Sequence, residues 1–335
     1  MPLTERLSWP KRLLIKRIPF PAGIILLSLP CILAAQEPKG APEASPSDSQ
    51  LISADNDQNE NSLGLDASAG TSNQPIEAPT SSDNGWVHKW FRKVDEARAS
   101  QPHFVSPIVT THVMLVQQYR YDMSWQQDPS GGTSTSNYGV SKGLEIIPTT
   151  RLEVGIFPPN YLVHQSAVPD GFGDLSFQVK FRAFSAPEGR GDYFIGFFLG
   201  GSLPTGSRPN GVGHTVLSPT LAAAKGIGHW DIQTTIGANL PASGANLLGR
   251  AIVFNTAVDY KLKGKVWPML EQNSSFWSGG VLDGKKQVFL TPGLVLGSFQ
   301  VAERLRFGIG GGVQIAVTEF HQYNHRWVLS LRFPF

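Results

Sequence analysis

The chain has 335 residues with 28 Lys and Arg against 26 Asp and Glu, a formal net charge of +2, and no basic stripe interleaved with aromatics, which argues against a nucleic-acid partner. Charged residues make up 16%, against about 25% in a typical soluble protein, yet the mean hydropathy of -0.12 is too polar for a bundle of membrane helices. Low charge, 35 glycines and the lack of a long apolar run suit a membrane barrel, whose apolar residues are dispersed by alternation.

Residues 1–35 read as an export signal. Arg6, Lys11, Arg12, Lys16 and Arg17 precede an apolar core over 18–33, and Ala34 and Ala35 offer a cleavage site near Ala35. An uncleaved anchor helix is the poorer choice, because Pro19, Pro21 and Pro30 interrupt the stretch. Pro30 directly before Cys31 also argues against lipoprotein processing. Cys31 is the single cysteine, so once the signal is removed no thiol is left for a disulfide or a Cys-based metal site.

Residues 36–83 are rich in Ser, Pro, Asp, Asn and Gly, and nine acidic residues there face only Lys39. Too little apolar surface is on offer to offset the entropy of ordering, so a disordered acidic linker is expected. Over 84–100 a short amphipathic helix is expected, capped by Asn84, with Trp86, Trp90, Phe91 and Val94 on one side. Three roles suit it: packing against a barrel rim, anchoring on the inner leaflet surface, or plugging a pore.

From 105 to 335 the periodicity changes to two. Twelve strands are expected, at 108–125, 139–147, 151–157, 173–184, 193–203, 215–226, 230–240, 251–262, 266–276, 287–298, 304–317 and 327–335. The connections alternate between long and short along this series, as they do when turns are short on the periplasmic side and loops long outside. The fold class read from this is all-β, an antiparallel transmembrane β-barrel of about twelve strands.

Alternation sorts the side chains of each strand into two sets. In the last strand Trp327, Leu329, Leu331, Phe333 and Phe335 share the apolar face, in the manner of the terminal assembly signal of outer-membrane barrels, and that strand is expected to close the barrel on the first. The opposite, inner face collects the candidate lumen-lining residues Arg120, Asp122, Asp174, Lys180, Arg182, Asp231, Asp259, Lys261, Glu271, Arg304, Arg306, Arg326 and Arg332. Lys or Arg on the lipid face would cost about 2–4 kcal/mol near mid-bilayer, whereas charge in a lumen is hydrated or paired. Any one of these residues can equally be a wall ion pair. Gly308, Gly310 and Gly312 share the inner face and either make room for a bulky neighbour or relieve curvature.

Two patches carry a family resemblance. Residues Gly171-Phe172-Gly173-Asp174, continuing to Lys180-Phe181-Arg182, resemble the Gly-x-Gly-Asp strand motif of the MetA-pathway of phenol degradation family, and Leu203-Pro204-Thr205-Gly206-Ser207 is similar to that family's Pro-Thr-Gly loop. The resemblance spans 105–335 and implies a transporter-like outer-membrane barrel.

The function expected is passive uptake of small solutes, aromatic or anionic, in the cell outer membrane. A scaffold barrel without transport is the alternative, followed by an outer-membrane hydrolase. Hydrolysis needs a Ser beside His and Asn or Asp, and none of His112, His214, His321 and His325 lies in the His-x-Ser-Asn-Gly-Gln pattern of barrel phospholipases. No catalytic residue, metal or cofactor is expected. The partners expected are outer-membrane lipid, the barrel assembly machinery and a small-molecule solute.

Overall fold

The computed structural model describes residues 85–129, 134–140, 142–262 and 265–335. The export signal expected over 1–35, the linker expected over 36–83 and the cap expected at Asn84 lie outside the described residues.

The period-two segments form β1 (Gln118–Gln127), β2 (Ser134–Gly139), β3 (Leu144–Thr149), β4 (Leu152–Phe157), β5 (Tyr161–His164), β6 (Gly171–Phe172), β7 (Leu175–Ala186), β8 (Tyr193–Leu203), β9 (Val216–Ile227), β10 (Trp230–Pro241), β11 (Arg250–Tyr260), β12 (Val266–Ser278), β13 (Lys286–Gln300), β14 (Arg306–Ala316) and β15 (His325–Pro334). All pairings are antiparallel, and β15 pairs with β1 from Gln118↔Pro334 to Gln127↔His325. That pairing closes the wall, so the barrel has no open edge to protect.

Three wall strands are bent, which reconciles fifteen segments with a twelve-strand barrel. β2 lies beside Asp122–Gln127 of β1 and β3 beside Gln118 and Tyr119, so they are halves of one strand. Gly139 and Val140 take up the bend between them, both at positive φ. In the same way β5 prolongs β4 and β6 leads into β7, and β2, β5 and β6 pair with one another as a collar at the long-loop end. Part of what reads in sequence as outer loop is thus additional wall.

The outward set is apolar. Tyr119, Trp125, Ile156, Phe181, Ile195, Phe197, Leu221, Ile236, Ile252, Leu270, Leu294 and Trp327 are all exposed, a surface that lipid covers and water would not tolerate at this extent. Aromatics gather toward its two borders. Trp125 stands opposite Trp327 near the collar, and Phe333 lies 6.4 Å from Tyr119 and 5.5 Å from Phe307 (ring centroids) near the short-turn end.

The helix α1 (Trp86–Ala99) sits at the short-turn end, with Gly85 at its N-cap and no side-chain cap bond. Of the three roles open to it, it takes the first. Trp90 Nε1 donates to the Ile147 carbonyl oxygen at 2.7 Å, and Val94 and Ala97 are fully buried against the barrel.

One expectation is corrected. The first strand was expected to begin at 108, but β1 begins at Gln118, and 101–117 has no regular secondary structure. Ile108, Val113, Met114 and Leu115 are nonetheless buried, in clusters with inward residues of the wall such as Phe194, Phe198, Ala222, Met269 and Val328. The segment enters the lumen from the short-turn end and returns to it before β1. Three successive buried apolar residues, Val113 to Leu115, cannot all face one side of a strand; here a coil enclosed by wall on all sides buries every one.

Candidate functional site: a lumen segment between two cavities

The inner wall holds 101–117 through backbone hydrogen bonds, which a coil needs because its own peptide groups find no partners in a ladder. The Glu271 carboxylate, midway along β12, accepts from three successive N–H groups: Ile108 at 2.5 Å, Val109 at 3.1 Å and Thr110 at 2.6 Å. Arg120 Nη2 donates both to the Ile108 carbonyl oxygen at 2.5 Å and to Asp122 at 2.7 Å, while its Nε engages Asp122 at 2.9–3.1 Å. Arg332 donates to the carbonyl oxygens of Ser106 (2.5 Å) and Pro107 (2.9 Å). Gln233 accepts from Val113 N–H and donates to the Val105 carbonyl oxygen, and Glu153 accepts from Val116 N–H at 2.5 Å. At the neck, the Gln101 side chain bridges both backbone groups of Leu115.

Shape matches polarity at the tip. A Cβ built on Gly293 would lie 2.2 Å from Ile108 Cδ1, and one on Gly312 at 3.1 Å, so these two glycines form a socket for Ile108. Room for a bulky neighbour, one of the two reasons offered for the inner-face glycines, thus holds at Gly312. At Gly310 the near neighbours are Arg332 and Val295, and at Gly308 nothing is closer than 3.5 Å.

The remaining sequence-derived candidates divide by location. Lys180, fully buried, is held between Glu153 at 2.7 Å and Glu145 at 3.5 Å. Arg182 donates to the α1 carbonyl oxygen of Ala97, to Ser100 Oγ and to the Thr150 carbonyl oxygen, fastening the helix to the mouth. Asp231 and Asp259 face each other across the β10–β11 pair. Arg326 donates to Gln314 Oε1 at 2.6 Å and lies over the Tyr323 ring. Three candidates lie away from the mid-barrel wall: Asp174 accepts from Gly206 and Val212 N–H and so organises the 206–212 loop, Lys261 is exposed just past β11, and Arg304 is on an exposed turn, paired with Asp95 at 2.7 Å. Arg306 is exposed at the start of β14, its guanidinium 3.4 Å from Ser298 Oγ. Sequence reasoning missed Gln233 and Glu153, which hold a coil that has no periodicity to announce it, Gln101 within that coil, and Glu145, which pairs with Lys180 and Gln118.

Two cavities flank the segment. The outer one, about 270 Å³, has a mixed lining that includes Ser176, Gln178, Arg120, Lys142 and Glu145 together with Phe157 and Phe177. The inner one, about 410 Å³, opens at the short-turn end and is lined by Phe104, Met114, Leu115, Trp267, Val295 and Leu296 together with Arg98, Arg304, Arg306 and Arg332. Only His112 and Gln118 border both. The His112 ring nitrogens are buried without a hydrogen-bond partner at ordinary geometry, apart from a loose approach to the Phe104 backbone. On α1, Arg98 donates to the carbonyl oxygen of Gln117 (3.2 Å) and to a carboxylate oxygen of Phe335 (2.6 Å), tying helix, neck and last strand together. Burial lowers its guanidinium from the ordinary value and Asp95 acts in the opposite sense; an arginine stays charged under such a shift.

A family model described as "Putative MetA-pathway of phenol degradation" matches residues 95–333, a span that includes the lumen segment as well as the wall. The chain belongs to this family. No curated protein matches the sequence. Among solved structures, an outer membrane channel from Pseudomonas putida F1 superposes with a TM-score of 0.47 at 13% identity, covering 69% of this chain and 100% of that one. The NanC porin gives a TM-score of 0.43 at 6% identity, covering 64% of this chain and 98% of its own. This member of the phenol-degradation MetA-pathway family is an antiparallel twelve-strand β-barrel of the outer membrane. Its wall requires the lipid bilayer and the machinery that inserts such barrels as partners.

Proposed function

We propose that the barrel is a channel for passive uptake of small solutes, closed at rest by the 101–117 segment, and that it favours solutes that are anionic or aromatic. The observation that carries this reading is the pair of cavities on either side of the segment, which share His112 and Gln118 in their linings. A scaffold would gain nothing from unfilled volume on both sides of a thin partition, since filled interiors are the more stable. The cationic and aromatic lining of the inner cavity supports the solute class, because a poorly hydrated passage amplifies an imbalance of fixed charge.

The test is single-channel recording of the purified protein in planar bilayers, beside a variant with 105–111 replaced by a Gly-Ser linker of the same length. Small, rare openings in the native protein and larger, sustained ones in the variant are expected. No conductance in either, with insertion verified, would leave the scaffold reading in place.

A further inference from the structure

The inner cavity gathers charge that its own wall does not match. Its lining includes four arginines, Arg98, Arg304, Arg306 and Arg332, and no Asp or Glu. Their partners differ in kind. Arg304 is paired with Asp95, at 2.7 Å. Arg332 is held by the backbone carbonyl oxygens of Ser106 and Pro107, with Ser330 Oγ also near, and these orient a guanidinium without cancelling its charge, whereas Arg98 meets the Gln117 carbonyl oxygen and a carboxylate oxygen of Phe335. Among the described residues, Arg306 has only the Ser298 hydroxyl, at 3.4 Å. Beside them stand Trp267 and Phe104, apolar surface of a size to cover one ring.

We infer that this cavity is a binding site for a small organic anion with an apolar body, an aryl carboxylate, whose charged end meets Arg306 and whose body lies against Trp267 and Phe104. Arginine suits the task because its planar donors match a carboxylate two at a time. The volume, about 410 Å³, is toward the small end for ligand pockets, which points to a body of one ring. The inference deepens the channel reading, placing the solute preference at the periplasmic mouth.

The experiment uses the full chain in an uncharged amphipol, titrated calorimetrically with benzoate, benzamide and acetate. Saturable binding of benzoate is expected, with benzamide and acetate each weaker by about tenfold or more, since each lacks one half of the match. Arg306→Gln lies on an exposed position and should weaken benzoate by about tenfold without altering heat-modifiable migration; Asp95→Asn, which releases Arg304, should strengthen it. Equal binding of benzoate and benzamide, or benzoate binding indifferent to both substitutions, would overturn the site. Flux measured on the same preparations separates the two readings: conductance without benzoate binding removes the site and keeps the channel, and benzoate binding without conductance does the reverse.

Discussion

Glu271 and Ile108 are 163 positions apart in sequence, and the carboxylate of the first accepts the backbone N–H of the second at 2.5 Å in mid-lumen. The same carboxylate also takes the N–H groups of Val109 and Thr110, so one side chain satisfies a whole turn of coil. Hydrogen bonds to a charged group are worth about 1.5–3 kcal/mol each, and three unpaired buried N–H groups would destabilise the closed arrangement. Glu271→Ala should therefore raise the open probability in planar bilayers by about 100-fold, while the wall, which depends on ladder bonds, keeps its resistance to proteolysis.

The socket for Ile108 gives a steric version of the same test. Gly293→Ala places a Cβ where the Ile108 terminal methyl lies, with the Gly311 carbonyl oxygen of the neighbouring strand a second close atom at 2.9 Å. Gly293→Ala alone should increase conductance, and Gly293→Ala with Ile108→Ala should return it part of the way toward the native level, because the second change relieves the Ile108 contact and leaves the Gly311 one. An equal increase in both would show that the barrel wall, not the segment, had been disturbed.

Lys180 should prove structural. It lies fully buried between Glu153 and Glu145, and removing one member of a buried ionic group leaves charge uncompensated at a cost of about 3–5 kcal/mol. Lys180→Met should lower the midpoint of urea unfolding strongly. The triple change with Glu145→Gln and Glu153→Gln should recover much of the loss, which a solute-contacting lysine would not do.

Much of the wall was legible in the sequence because the physics there is local. Lipid on one side and polar lumen on the other impose alternation residue by residue, as in Gln118–Trp125, and the strand count and the closing pair follow from it. The lumen segment was not legible, because a coil enclosed by wall obeys no period: Val113, Met114 and Leu115 are all buried, and Ile108 looked like the start of a strand. Arg120, Glu271 and Arg332 were found as inner-face charges by alternation alone. Their partners, backbone groups of 106–110, have no side-chain signature and become visible only in three dimensions.

The last strand should govern assembly. Phe333 pairs in register with Tyr119 and packs on Phe307, and Phe335 N–H donates to the Gln117 carbonyl oxygen, so the final residues complete the seam with β1. Deleting 333–335 should abolish heat-modifiable migration and outer-membrane location; unchanged assembly would show that closure does not need them.

Ion preference gives a prediction whose sign is set by one exposed pair. Arg304 is held by Asp95 from α1, and Arg306 nearby has no carboxylate, so the mouth is positive by an amount that Asp95 limits. Asp95→Asn should increase the preference for anions, and Arg304→Ser with Arg306→Ser should decrease it, both read as reversal potential under a salt gradient. The shifts should be larger at 0.05 M salt than at 1 M, where the screening length falls to about 3 Å. Since these side chains are exposed at the rim, neither change should move the unfolding midpoint by more than about 1 kcal/mol equivalent. Cation preference that persists in the native protein and in all variants would mean that the passage avoids the arginine-lined cavity, and solutes would then have to cross the segment by a path other than the partition at His112 and Gln118.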